Sequence, residues 1–466
     1  MTPPLALLPI VVAHAQEASV EAPVQSTGPM TLSTAIATAL DRQPQLVAAA
    51  ANKDASAQRL KQTKASYLPT VTPSYNFQNQ YTFGKVQVFQ GGGVITELPS
   101  GKTTTSRQEQ VNLNYRLFDS GRRDLNARQA QQTLTASELS EANTRQTVIG
   151  NVADTYFNAL RTDALVRVSE AQVERAQQIF EQIKFQANIV GVTPPKDILQ
   201  AEADYLTAKV NLLQAQNNAE IAHLQLRNAM GLTGSGKFNL ADVSPPSPTA
   251  LMTAQVDGVV SATKDSDAIT KLVAFAQTKR PDTQQVEVNA AASQTAVKIA
   301  EISARPIVNI DLAAGYQFDA ANDPTRQVGN NRALVANVTY PLFDGGATRS
   351  NIHAAEATQR SSVAQVQNQK QQVALEVEQA WRNLGQARVS IPATEAARAA
   401  ANKNYEAASE SLKLGAGSTV EVITAQTSLV QAEINYVQAL YNFYTADARL
   451  TRALGQAERI GRTATK

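Results

Sequence analysis

The chain has 466 residues with no cysteine, three histidines and one tryptophan, and 42 basic residues nearly balance 40 acidic ones, for a net charge of +2. The lack of cysteine excludes disulfide scaffolds, thiolate metal sites, cysteine nucleophiles and an acylated N-terminal cysteine. The small net charge supplies no field for nucleic acid. His14 lies in an apolar leader, so only His223 and His353 remain to build a metal centre or triad. This composition argues against an enzyme, and neither a cofactor nor a metal is expected.

In chain order, residues 1–15 read as a signal peptide. Leu5 to Ala13 is mostly apolar and Ala13-His14-Ala15 has the small-x-small form of a cleavage site, although no Lys or Arg precedes the run. No later run reaches the ~20 apolar residues of a membrane-spanning helix, so any passage through a membrane must use strands. Residues 16–242 form a first repeat and 257–455 a second, joined by a linker (243–256) that opens with Val-Ser-Pro-Pro-Ser-Pro and followed by a tail (456–466). Phe118-Asp119-Ser120-Gly121 returns 225 residues later as Phe343-Asp344-Gly345-Gly346, and Leu226 to Gly231 returns 224 residues later as Leu450 to Gly455. Pro44 and Pro69 match Pro281 and Pro306 at an offset of 237, so the first hairpin is the longer one. Such a duplication places two equivalent units in one assembly.

Each repeat reads helix, hairpin, long helix, turn, helix. The first hairpin (70–118) alternates from Thr70 to Phe83, with Val71, Tyr75, Phe77, Tyr81 and Phe83 on one face, and again from Gln110 to Leu117. The second (307–343) groups Val308, Ile310, Leu312, Ala314, Tyr316 and Phe318, then Leu334, Ala336, Val338, Tyr340 and Leu342. Aromatic residues concentrate in these hairpins, as in the girdles of a lipid-facing band. A water-soluble sheet with one buried face would show the same alternation.

The long helices are expected over 120–190 and 345–414, each about 70 residues or roughly 105 Å, with a kink or local unwinding at Pro392. The helices that follow, 196–231 and 420–455, carry apolar residues at alternating spacings of three and four, from Ala201 to Ala229 and from Val422 to Ala453. Alanine recurs in this seam, letting helices approach closely. A second row, Leu199, Leu206 and Leu213, with Ile423, Val430 and Val437 as its repeat mates, offers each helix another neighbour. Four strands cannot close a barrel, and open edges are not tolerated in lipid. Three copies would supply 12 strands.

The duplication, the paired Leu-Phe-Asp-x-Gly junctions at Leu117–Gly121 and Leu342–Gly346, and the two glycine turns together resemble the TolC-type outer-membrane efflux proteins, over about Leu32 to Gly455. The resemblance implies an α+β membrane channel: a homotrimer with a 12-stranded β-barrel, four strands per chain, continued by a long α-helical, coiled-coil barrel. It also implies an outer-membrane location reaching into the periplasm, and docking of the tips onto a periplasmic adaptor and an inner-membrane pump that exports drugs, metals or proteins. The lack of a lipobox cysteine matches the non-lipidated branch.

The adaptor-docking tips are then Val190, Gly191, Val192 and Thr193, and Leu414, Gly415, Ala416, Gly417 and Ser418. Asp197 and Glu421, with Thr424, mark the constriction, where six carboxylates in a trimer would favour cations; an acid in a helix's first turn also simply complements the macrodipole. Thr424, Leu412 and Gly417 stand where the best-known member has an acid, a tyrosine and an arginine, so apolar packing is expected to hold any gate here. Asp119, Gly121, Asp344 and Gly346 form the strand-to-helix junctions. A soluble periplasmic coiled-coil scaffold or adaptor is the alternative.

Overall fold

The structure, a computed structural model, describes residues 28–90, 94–187, 194–234, 236–243, 246, 265–320 and 327–460. The expected signal peptide, most of the linker and the first tip (Val190, Gly191, Val192, Thr193) lie outside the described residues.

The two repeats follow the same course. In the first, α1 (Leu32–Arg42) and α2 (Pro44–Ala65) lead into β1 (Thr70–Gln90) and β2 (Val94–Phe118), then α3 (Arg122–Phe185) and α4 (Pro195–Ala229). In the second, α5 (Asp265–Lys279) and α6 (Pro281–Glu301) lead into β3 (Ile307–Ala320) and β4 (Gln327–Thr339), then α7 (Ala347–Lys413) and α8 (Thr419–Ala453). Proline opens both α2 and α6 at the first helical position, where its missing N–H costs nothing. The strands of the first hairpin run further than the alternation suggested, because their outer portions continue the ladder from Asn79↔Thr105 to Gln90↔Val94. The second hairpin is shorter, and β4 ends at Thr339 rather than 343.

The strands form one antiparallel sheet in the order β1-β2-β3-β4, so the hairpins are joined through β2 and β3. The register sorts the faces. Thr70↔Asn114, Thr72↔Asn112, Ser74↔Gln110 and Asn76↔Gln108 align polar with polar, and Val71↔Leu113, Leu113↔Leu312 and Leu312↔Leu334 align apolar with apolar. Val71, Tyr75, Tyr81, Leu312, Leu334 and Val338 are all exposed in the chain. A sheet with one apolar face that nothing among the described residues covers is built to face lipid. Arg107 and Phe77 add a cation–π contact on that side at 5.5 Å. No helix among the described residues is long and apolar enough to cross a membrane.

Helices α3 and α7 contain 64 and 67 residues, about 100 Å each at 1.5 Å per residue. They pair with α4 and α8 through the alanine-rich seam: Ala201, Ala208, Ala219 and Leu226 are buried, as are Val422, Leu429, Phe443 and Leu450. Helix α7 continues through Pro392, so the expected unwinding does not occur. Pro392 is exposed, and the carbonyl its missing N–H frees is that of Arg388, one turn back.

Among the described residues, three clusters gather the buried apolar side chains. One gathers α1, the middle of α3 and the ends of α4 and α8; a second gathers α5, α7 and α8; a third ties the helix tips. The first also takes in Ala457 and Ile460, so the expected tail begins as part of the core. Tyr156 anchors it by donating toward the carbonyls of Met30 (3.0 Å) and Ala241 (2.9 Å), and burial pushes its hydroxyl up to about 12.

Replacing Pro392 with alanine should raise stability, by up to about 3 kcal/mol, without changing helix content. Thermal unfolding followed by circular dichroism in detergent checks this, and a variant less stable than wild type would mean the proline relieves strain.

Candidate functional site

Three features stand out: the junctions where strand becomes helix, the tips where helix pairs reverse, and the contacts between the two pairs. At the first junction the Asp119 carboxylate accepts from the amides of Gly121 (3.2 Å) and Arg123 (3.0 Å) and from Arg123 Nε (3.0 Å). The chain turns through two left-handed residues, Ser120 (φ 57°) and Gly121 (φ 85°). The second junction repeats this with Gly345 (φ 65°) and Gly346 (φ 89°), the Asp344 carboxylate accepting from Gly346 (3.0 Å) and Thr348 (2.7 Å) amides. Each aspartate thus caps a helix whose first N–H groups have no intrahelical partner. The Thr348 side chain, then the two amides, hold the Asp344 carboxyl below the usual carboxylate range. Asp119 is 5% exposed, and Ser120 Oγ donates to the Pro306 carbonyl at 3.0 Å; Asp344 is exposed.

At the second tip α7 ends at Lys413, Leu414 caps it, and Gly415 (φ 75°) turns the chain. The amides of Ala416 (2.9 Å) and Gly417 (3.0 Å) both donate to the Ser411 carbonyl. A Cβ on Gly417 would meet the Leu412 nitrogen at 3.0 Å, leaving little room for a side chain there. Ser418 caps α8, its hydroxyl accepting from the Glu421 amide at 3.2 Å. Ser418-Thr419-Val420-Glu421 has the sequence form of a capping box, in which the Ser418 hydroxyl supplies the observed bond. Its carboxylate is exposed, Asp197 is half-buried in the first turn of α4, and the Thr424 hydroxyl donates to its own helix at the Val420 carbonyl (2.7 Å). Asp197 and Glu421 thus occupy matching turns of the two tips.

The helix pairs are held together near these tips. Leu412 is buried with Ile179, Ile183, Ala201 and Val422, a cluster drawn from α3, α4, α7 and α8. Higher up, Arg175 of α3 and Glu433 of α8 form a bidentate pair at 2.7 and 3.2 Å, both largely buried. Sequence reasoning missed this bridge, although one signal was available. Glu433 is the repeat mate of Lys209, a charge reversal that breaks the duplication. Lys209 instead lies 4.3 Å over the Tyr205 ring. His223 was also missed. It is 1% exposed, with Nε2 2.9 Å from Asp163 and Nδ1 accepting from the Phe238 amide (3.2 Å), and so pins the segment after α4 to the helix pair. Among the described residues no group of three or more His, Asp or Glu could hold a metal ion.

Strands with one apolar and one polar face, continued by helices of about 100 Å, define a class: subunits of a β-barrel channel prolonged by a helical tube. A sequence profile of the family described as "Outer membrane efflux protein" matches residues 35–232 and 272–456. Outer membrane protein TolC of Escherichia coli (strain K12) is 22% identical over 428 residues, covering 88% of this chain and 79% of TolC. Outer membrane efflux protein BepC of Brucella suis is 24% identical over 405 residues, covering 85% and 80%. Among solved structures, the outer membrane protein VceC of Vibrio cholerae superposes with a TM-score of 0.71 at 20% identity, covering 91% of this chain and 96% of VceC. The chain belongs to the outer membrane efflux protein family, whose TolC-type channels are trimeric and work with efflux pumps. It is an outer-membrane efflux channel, and the solvent-folded scaffold is set aside.

Gly346→Ala should destabilise the junction by about 1–2 kcal/mol through backbone strain alone, since no atom lies within 4 Å of the added Cβ. Ser120→Gly at the left-handed position should cost far less, and thermal unfolding of the two variants compares them. Asp344→Asn should be less stable than wild type at neutral pH. The contribution of a depressed carboxyl is present above the ordinary pKa of about 3.9 and lost below the folded value. Unfolding midpoints measured from pH 7 down to pH 2 should therefore converge.

Proposed function

We propose that three copies of this chain form a passive exit duct whose tips seat a periplasmic adaptor and an inner-membrane pump. The observation that carries this reading is the sheet itself: four strands, two open edges and an exposed apolar face, attached to rods long enough to bridge a periplasm. The polar face of the sheet lines the conduit and the apolar face contacts outer-membrane lipid. Adaptor docking falls to Leu414–Ser418, where the Gly415 turn offers a small surface, and to Val190, Gly191, Val192 and Thr193. The duct carries out no chemistry of its own, and selection of cargo lies with the pump.

The tip is the gate. Asp197 and Glu421, repeated three times, form a ring of carboxylates that favours cations, with Thr424 one turn further in. The closed tip is held by the apolar cluster around Leu412 and by the Arg175–Glu433 pair. A largely buried ion pair resists loss of either member, because the remaining charge is left without a partner. The Asp119 and Asp344 turns, with Gly121 and Gly346, fix the angle at which barrel strands enter the tube.

In planar lipid bilayers the purified protein should conduct ions, and Asp197→Ala with Glu421→Ala should shift the reversal potential toward lower cation preference. An unchanged potential would remove both residues from the filter. Glu433→Ala should raise single-channel conductance by freeing the tip; equal conductance would show that the Arg175 bridge has no part in closure.

A further inference from the structure

The duplication is broken in one place within the helical wall. Where the end of α8 meets the start of α6, a cavity of about 840 Å³ opens between α3, α7 and α8. Six charged residues line it: Asp154, Arg280, Asp282, Glu376, Arg449 and Arg452. Moved by the repeat offsets of 225, 237 and 224, they become Gln379, Gln43, Gln45, Asn151, Gln225 and Asn228. Every mate is an uncharged amide. The frame itself is kept, because Arg280 Nη1 donates to the Ala453 carbonyl (3.3 Å) as Gln43 Nε2 donates to the Ala229 carbonyl (2.9 Å). The charges are an addition to a joint that also forms without them.

Most of these charges are already matched. Arg280 holds Asp282 through two bonds (2.6 and 3.0 Å) and Glu376 at 2.6 Å, and Gln369 and Gln372 donate to the same two carboxylates. Asp154 accepts from Arg449 Nε at 3.1 Å. Among the described residues this is the one bond of the Arg449 side chain, which leaves both of its Nη groups for a ligand. Arg452 lines the cavity with no hydrogen bond or ion pair to any described residue. Its place is nonetheless built. The Arg452 stem crosses α3 at Gly150, a buried mid-helix residue, where an added Cβ would come within 2.5 Å of Cδ. Glycine is the poorest helix former after proline, and the mate of Gly150 is Leu375. The arginine and the space for it occur together, whereas the mate positions carry asparagine and leucine.

Asn442, Thr445, Arg449 and Arg452 follow one another at spacings of three and four, so they share one stripe of α8. Tyr441 and Ala448 lie on another side of the helix, buried with α1, while Asn442, Arg449 and Arg452 are exposed. Resting on the duct reading above, in which this uncovered stripe faces the conduit, we propose that Arg449 and Arg452 form an oxyanion site on the conduit wall. It takes the carboxylate or phosphate group of an anionic cargo, one group per copy. Two guanidinium groups one turn apart suit the paired oxygens of such a group, which arginine engages through parallel N–H donors. The Asn442 amide supplies a neutral donor beside them. The carboxylates of the cavity do not compete for these donors, since each already has an arginine of its own. The site is opposite in sign to the acids at the tip, so anions are retarded where the tip favours cations.

The full-length protein in detergent is titrated by calorimetry with citrate and, separately, with inorganic pyrophosphate, at constant ionic strength. Binding of at least one of them is expected, at one ion per chain. The double variant Arg449→Gln with Arg452→Asn installs the residues of the mate positions, which the same fold already accommodates. It should weaken binding at least about tenfold, the loss expected for hydrogen bonds to a charged group. Arg452→Lys keeps the stem and the charge but not the fork, and should bind between wild type and the double variant at an unchanged unfolding temperature. Binding by neither ion, or equal binding by wild type and Arg452→Lys, overturns the site. In planar bilayers, citrate should lower the conductance of wild type and leave that of the double variant unchanged. A protein that conducts and ignores both ions overturns the site and leaves the duct standing. A protein that binds citrate and never conducts overturns the duct and leaves the site.

Discussion

The backbone of a sheet edge cannot be left unpaired in hydrocarbon. Each N–H and C=O stranded there costs several kcal/mol, and this chain carries two such edges, on β1 and β4. The rest of the molecule follows from that constraint. A chain of this length could not close a barrel from its own four strands, so the barrel has to be shared. Sharing it fixes the helices as well, because each strand passes through a short elbow or junction into a rod of the tube. The duplication is the economical solution: one hairpin-plus-helices unit, used twice per chain, tiles the circumference.

Converting a strand into a helix is the hardest local step, since the backbone must change both direction and hydrogen-bonding partner. The Asp-x-Gly turns accomplish it with two left-handed residues and one carboxylate. The aspartate satisfies the helix's first amides before the ladder's last ones are far behind. At the tips the opposite economy holds. Gly415 and the Ser411 carbonyl reverse the chain within a few residues, and the Ser418 hydroxyl restarts it by accepting from the Glu421 amide.

Much of this was legible in the sequence because the period-2 and period-3.5 patterns report burial directly. The alternation from Val71 to Phe83 and the alanine seam from Ala201 to Ala229 each name a face. The Asp-Ser-Gly and Asp-Gly-Gly turns were legible because left-handed backbone selects glycine. What was illegible depended on contacts distant in sequence. Nothing local about Arg175 or Glu433 says that they meet, nor does a lone His223 announce Asp163 and a backbone amide as its partners. At Pro392 the cost of the missing N–H depends on whether the freed carbonyl faces water, which composition cannot show. The outer part of the first hairpin was read short because Gly84 and Pro99 interrupt a pattern that the ladder itself continues.

The uncovered faces of the lone chain also bear on assembly. Leu206 and Phe343 are exposed in the lone chain; in the proposed trimer, where a second copy covers them, folding and assembly draw on the same free energy and depend together on protomer concentration. A chain with a faulty junction is not simply lost. It enters rings with intact neighbours, and a tube sealed on two sides and open on the third is a leak in the barrier it crosses.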